Sequence, residues 1–205
     1  MHTIPMHTIP VITYHAIGEA ASPLFTPPAR FEATLAHLAE AGYRTVSLQR
    51  VLGWLRSGAA SPAKTVVLAF DDGYRSVYGE AWPRLAAYGF TAPVFLVTGY
   101  CGRDNRWPGQ PAHAPRLPLL SWAEADKLAN AGWELGAHTC THPPLPLVDA
   151  ARVEQEVAES QEAIQARTGQ AAAVFAYPYG ARNAAVEAIV AQHCAGAVST
   201  DMGLV

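Results

Sequence analysis

Short runs of apolar residues alternate with longer stretches in which apolar residues recur every three or four positions, and the alternation persists along almost the whole chain. Residues 10–14 read as a buried strand that ends at His15. Thr26 followed by Pro27 and Pro28 starts a helix, and Phe31, Leu35 and Leu38 at helical spacing run to a stop at Gly42. A strand near 44–48 is expected next, then a short helix with Val51, Leu52 and Leu55 on one face. After a turn at Ser61-Pro62, the run TVVLAF (65–70) is a β-branched strand that halts at Asp71-Asp72-Gly73.

The pattern continues with a helix over 76–88 ending at Gly89 and the strand 92–97, APVFLV. Residues 99–119 are rich in Pro and Gly, carry Arg103, Arg106 and Trp107, and read as one long loop of the kind that often has a function. Ser121 and Glu124 form a capping box for a helix ending near Gly132, after which 133–137 leads straight into His138. Asp149 caps a longer helix with Val153, Val157 and Ile164 inward, closed by Gly169. The strand 174–176 leads to Tyr177-Pro178-Tyr179-Gly180, Asn183 caps another helix, and 195–199 is the last strand.

Such alternation predicts an α/β fold of about seven parallel strands with right-handed crossovers. Polar residues gather where strands end, at His15, Asp71-Asp72, His138, Tyr177 and Thr200-Asp201. Only a barrel brings those ends around one axis, so an incomplete (β/α) barrel is favoured over a doubly wound sheet. No GxGxxG or GxxxxGK[ST] sequence supports nucleotide binding.

Composition narrows the picture. A chain of 205 residues with 50% hydrophobic and 15% charged positions suits one globular domain and excludes disorder. Formal net charge is -3 and no two basic residues are adjacent, so nucleic acid is not an expected partner. No apolar stretch is long enough to cross a bilayer. The pentapeptide MHTIP occurs at 1–5 and again at 6–10, which reads as a duplicated leader outside the fold, the domain occupying 11–205. Without a secretory signal, and with three cysteines (Cys101, Cys140, Cys194) that favour reduced thiols, a cytoplasmic setting is expected.

Two pieces carry chemistry: the adjacent carboxylates Asp71-Asp72 and the segment His138-Thr139-Cys140-Thr141-His142. A His-x3-His spacing puts two imidazoles within reach of one divalent ion, and one carboxylate completes a three-ligand site with a position open to water. The second carboxylate can then act on that water as a general base. Taken singly, DDG is often a turn with a helix cap and His-x3-His a coincidence; their joint occurrence at strand ends, beside Tyr177-Pro178-Tyr179-Gly180, is what points to a site.

At these residues the sequence resembles the polysaccharide deacetylases with a NodB homology domain, family four of the carbohydrate esterases. The resemblance runs through PVITYHAIG (10–18), VVLAFDDGY (66–74), APVFLVTG (92–99), LLSW (119–122), WELGAHTCTHPPL (133–145), FAYPYG (175–180) and AVST (197–200). It implies a distorted (β/α) barrel that removes acetyl groups from N-acetylated sugars with a divalent metal, usually zinc, while cobalt, nickel or iron(II) suit the same donors. Carried over by residue, Asp72, His138 and His142 match the metal ligands, Asp71 the catalytic base, and Tyr179 the backbone N–H donor to the oxyanion. Thr139 matches the family's hydroxyl residue after the first histidine.

Two departures stand out. Many members have Arg where this chain has Ala176, so something else must tune Asp71. The late Leu-x-His strand that supplies the usual general acid has no match; the only histidine after 180 is His193, read as a polar helix end. A subset of the family with the YPYG form carries a Tyr-His pair after its first strand, here Tyr14-His15, which makes His15 the candidate acid against a structural reading as a strand cap. Trp107 and Tyr179 are candidates for stacking on a sugar, His113 for touching substrate, and Cys140 is expected to point away from the metal. The expected substrate is an N-acetylated glycan or glycolipid precursor. The alternatives are hydrolysis of a non-sugar amide or cyclic imide, and a glycan-binding module whose catalysis has lapsed.

Overall fold

The structure, a computed structural model, describes residues 8–20, 22–110 and 114–201. Strand β1 (Val11–Tyr14) precedes the two-residue strands β2 (Ala16–Ile17) and β3 (Phe25–Thr26), then α1 (Pro28–Glu40), β4 (Arg44–Thr45), α2 (Leu48–Ser57) and β5 (Thr65–Phe70). A π-helical turn, Val77–Ala81, runs into α3 (Trp82–Ala87). There follow β6 (Pro93–Leu96), α4 (Trp122–Asn130), β7 (Glu134–Ala137), α5 (Ala150–Thr168), β8 (Val174–Ala176), α6 (Ala184–His193) and β9 (Gly196–Val198).

Seven strands form one parallel sheet in the order β1-β5-β6-β7-β8-β9, with β4 joined to the start of β5; β2 and β3 pair separately. The sheet curls into a half-barrel whose free edges are β1 and β9, in agreement with the incomplete barrel expected. Both faces are covered, as a parallel sheet requires. Val66, Leu68 and Phe70 of β5 point into the larger core under the helices, with Leu35, Leu85, Leu128 and Val157. Their neighbours Val67 and Ala69 point the other way, into a smaller cluster with Leu48, Phe95, Val174 and Ala176. Gly136 makes room for that inner cluster, since a Cβ there would lie 2.3 Å from the Phe95 ring.

Several elements differ from expectation for identifiable reasons. The strand expected over 44–48 stops at Thr45, because Ser47 caps α2 through the Arg50 N–H and the carboxylate of Glu134 accepts the Leu48 and Gln49 N–H groups at 2.6 and 3.0 Å. The helix expected over 76–88 opens with wide turns in which the Trp82 N–H reaches back to the Val77 carbonyl, immediately before Pro83, which has no N–H to offer. The long loop folds back on itself around buried Asn105, whose side chain donates to the Pro115 carbonyl and accepts from the Leu117 N–H. Of the repeated leader, residues 1–7 lie outside the described residues; Ile9 packs on the inner cluster and the Pro10 carbonyl accepts the Val67 N–H.

The caps expected at Ser121, Asp149 and Asn183 are all present, and no described helix is long and apolar enough to cross a membrane. All three cysteines are free thiols, with burial pushing Cys101 and Cys194 up to about 12.

Phe70 is fully buried, stacked between Tyr14 and Trp133 at 5.5 and 5.8 Å, with Phe31 edge-on. Truncation empties the centre of the larger core, so Phe70→Ala is expected to lower unfolding free energy by about 3–5 kcal/mol. Denaturant midpoints at unchanged slope check this; a loss below about 1 kcal/mol would contradict the packing described.

Candidate active site

The C-terminal ends of β5 and β7 carry the two motifs to one place. Asp72 follows β5, and its Oδ1 lies 3.3 Å from His138 Nε2 and 3.2 Å from His142 Nε2, with the two Nε2 atoms 3.1 Å apart. All three residues are buried. His138 Nδ1 sits 2.8 Å from the Ala176 carbonyl of β8, which accepts its N–H and turns Nε2 toward Asp72; burial works against the charged ring, but Asp72, Asp71 and that carbonyl outweigh it and raise the imidazole above its ordinary value. Burial, opposed by Asp72, holds the His142 imidazole below its ordinary value, which favours its neutral form. Burial alone would raise the Asp72 carboxyl, but the two imidazoles outweigh it and keep the group ionised far below the usual carboxylate range.

Three donor atoms of this kind, gathered within 4.8 Å of one another, suit a divalent cation. Polar groups crowded this closely in an interior are costly unless their charge is met, and His142 Nδ1 is itself buried with no hydrogen-bond partner among the described residues. The donor set therefore fits the metal that the sequence implied.

The His-x3-His segment is an irregular loop held from both sides. The Thr98 and Gly99 N–H groups donate to the Thr139 and Cys140 carbonyls at 3.1 and 3.0 Å. Gly99 is needed there, since a Cβ would lie 2.6 Å from the Cys140 oxygen. From the other side Glu156 of α5, fully buried, accepts the Cys140 and Thr141 N–H groups at 2.7 and 2.8 Å and pairs with Arg152. Inside the loop the Thr139 hydroxyl accepts the His142 N–H at 2.9 Å. These bonds hold backbone that is otherwise unfavourable. Thr139 and His142 have left-handed φ, 67° and 60°, in a region that costs a non-glycine residue on the order of 1 kcal/mol, and outside the loop Asp72 and Tyr179 share it at 67° and 59°.

Around the cluster the remaining predicted residues take different places. Asp71 follows Phe70, which pairs with Tyr14, and its N–H donates to the Tyr14 carbonyl; the same register sets His15 beside it. Burial raises the Asp71 carboxyl, while His138 and His15 pull it back, and its Oδ1 is buried with no hydrogen-bond partner among the described residues. Tyr179 lies in the turn after β8, its ring edge-on to His142 at 4.6 Å. Trp107 commits its ring to Tyr100 and His142 at 5.7 and 4.4 Å and is 3% exposed, so Tyr179, at 51%, is the aromatic left open to a sugar face. Cys140 turns toward Thr98 and the Glu156 carbonyl, as expected. His193 pairs with Glu154 outside the cluster, and His113 lies outside the described residues.

The sequence model of the family described as polysaccharide deacetylase matches residues 58–197. The chain belongs to the polysaccharide deacetylase family. It is 26% identical over 175 residues to the YxkH protein of Bacillus subtilis (strain 168), covering 85% of this chain and 58% of that one. Over 163 residues it is 24% identical to the poly-beta-1,6-N-acetyl-D-glucosamine N-deacetylase of Staphylococcus aureus (strain MSSA476), covering 75% and 53%. The chain thus spans little more than half the length of these relatives. The solved structure of Streptococcus pyogenes deacetylase PplD in complex with acetate has the same fold, with a TM-score of 0.85 at 24% identity, covering 98% of this chain and 87% of that one.

Within this deacetylase fold, two contributions escaped the sequence reading. Ala176 serves through its carbonyl, which no side-chain motif reveals. Glu156 left a signal that went unused: with Ser160 it interrupts the inward stripe of Val153, Val157 and Ile164. Removing its carboxylate strips the partner from two buried amides, so Glu156→Ala is expected to weaken binding of an added divalent cation about 10- to 100-fold, with a smaller loss for Glu156→Gln. Competition against a chelator measures this; equal affinities in parent and Glu156→Ala would refute the supporting role.

Proposed function

We propose that the chain is a metal-dependent N-deacetylase acting on an N-acetylated amino sugar of a glycan or glycolipid precursor. One observation carries the reading: a buried, unpartnered carboxylate oxygen, Asp71 Oδ1, next in sequence to a ligand of the Asp72–His138–His142 cluster. Family membership supports it, as does the name of the staphylococcal relative, a deacetylase of poly-N-acetylglucosamine. Zinc suits two imidazoles and one carboxylate, and cobalt, nickel and iron(II) suit the same donors.

A bound divalent cation supplies Lewis-acid polarisation of the acetyl carbonyl and acidifies a water. The chain does the rest. Asp71 accepts the proton of the attacking water at its free oxygen. The Tyr179 N–H, held by the left-handed turn, donates to the carbonyl oxygen as negative charge develops on it. His15 gives a proton to the amine nitrogen as the amide C–N bond breaks, so that acetate and a free amino sugar leave. Support for His15 comes from its register, which continues the β1–β5 pairing to set it beside Asp71. The half-exposed Tyr179 ring offers a face for the sugar.

Acetate release from N-acetylated oligosaccharides is expected to vanish with chelator and return with zinc, and no release from any such oligomer would remove the reading. Asp71→Asn should keep the metal and lose about 10²- to 10⁴-fold in kcat, whereas His138→Ala should lose both metal and rate. Equal metal content in those two variants would contradict their assigned roles. For His15→Gln the expectation is retained metal with kcat down roughly 100-fold; an unchanged kcat would make His15 a strand cap.

A further inference from the structure

The long loop after β6 builds a second concave site beside the metal cluster. A cleft of about 570 Å³ is lined by Tyr100, Arg103, Asp104, Arg106 and Arg116. Asp104 accepts from Arg106 Nε at 2.8 Å and from Arg116 Nε at 2.6 Å, so each guanidinium is gripped by its inner edge. The outer nitrogens of both make no hydrogen bond to the described residues, and the Arg103 side chain makes none at all among them. Three cations thus face one carboxylate, on a chain whose net charge is -3. Arg106 and Arg116 remain about two-thirds open to solvent.

Position gives this charge a meaning. Tyr100, a wall of the cleft, packs edge-on against Trp107 at 5.7 Å, and Trp107 packs against the metal-ligating candidate His142 at 4.4 Å. The cleft and the metal cluster are therefore neighbours across a single aromatic partition. A neutral sugar is held by aromatic faces and hydroxyl hydrogen bonds, which call for no surplus of positive charge. Forked guanidinium groups match the paired oxygens of a carboxylate or a phosphate.

We propose that this cleft is an anion subsite, which takes a carboxylate or phosphate carried by the part of the substrate adjoining the acetamido sugar. The inference rests on the deacetylase reading and narrows its substrate to an anionic glycan. Asp104 sets the geometry by fixing two of the three guanidiniums, and Arg103 is the free one that closes on the ligand.

Three oligosaccharides of N-acetylglucosamine test it: a neutral one, one carrying a phosphate monoester on the neighbouring sugar, and one carrying a carboxylate there. In the parent protein kcat/KM for at least one anionic oligomer is expected to exceed that for the neutral one by about tenfold or more, through KM, with the advantage shrinking as salt is raised. Which anionic oligomer gains distinguishes phosphate from carboxylate. Arg103→Gln, which breaks no bond within the described fold, and Arg103→Gln combined with Arg106→Gln should bring that ratio toward one, and Arg103→Lys should restore part of it. A ratio near one in the parent, or one that survives both variants, overturns the subsite. If no oligomer releases acetate, the deacetylase reading fails by itself. Calorimetric titration with the same three oligomers then decides the subsite: tighter anionic binding lost in the variants upholds it, and equal binding removes it.

Discussion

An ionised carboxylate held out of water between two imidazoles is the constraint around which this molecule is arranged. Asp72, His138 and His142 are each no more than 5% exposed, and a group of this kind is tolerated in an interior only when its charge is met and its neighbours are fixed. The surroundings are built to fix them. The Ala176 carbonyl sets the His138 tautomer, Thr139 ties the amide of His142, and Glu156 with the Thr98 and Gly99 amides clamps the intervening loop. Left-handed backbone at Thr139 and His142 persists because these bonds over-determine it.

The sheet makes such an arrangement economical in chain length. Parallel strands end on one side, so residues that follow β5, β7 and β8 meet although they are far apart in sequence. Strict inward and outward alternation keeps the strand interiors apolar, with Phe95 filling the space that Gly136 leaves, and confines polar groups to the strand ends. Where an arginine was expected from the family pattern, Ala176 contributes small size and a backbone acceptor, and His15 adjoins Asp71 by register with β1. Among the described residues the charges that act on Asp71 are those of His138, His15 and Asp72.

Much of this was legible in the residue pattern, and the exceptions share a cause. Helix caps and the buried run of β5 depend on neighbours a few positions away, and the fold shows both where the sequence pattern puts them. The segment after Arg44 was misread as a longer strand because the group that ends it, Glu134, lies 86 positions from Leu48. The fold of the long loop depends on Asn105 meeting 115 and 117, and its cleft on Asp104 meeting Arg116. Periodicity carries no record of such pairs.

Sequence alone therefore determined the architecture and singled out the candidate trio Asp72, His138 and His142 with the adjoining carboxylate, because periodicity and motif spacing are local properties that burial turns into strands, helices and strand ends. Tertiary structure decided how the trio is held and which oxygen is left free: Glu156 beneath the histidine loop, the Ala176 carbonyl behind His138, and Asp71 without a partner. It also decided that three arginines of one loop share a cleft beside the site. These are contacts across the fold, set by packing between elements, and no stretch of chain encodes them by itself.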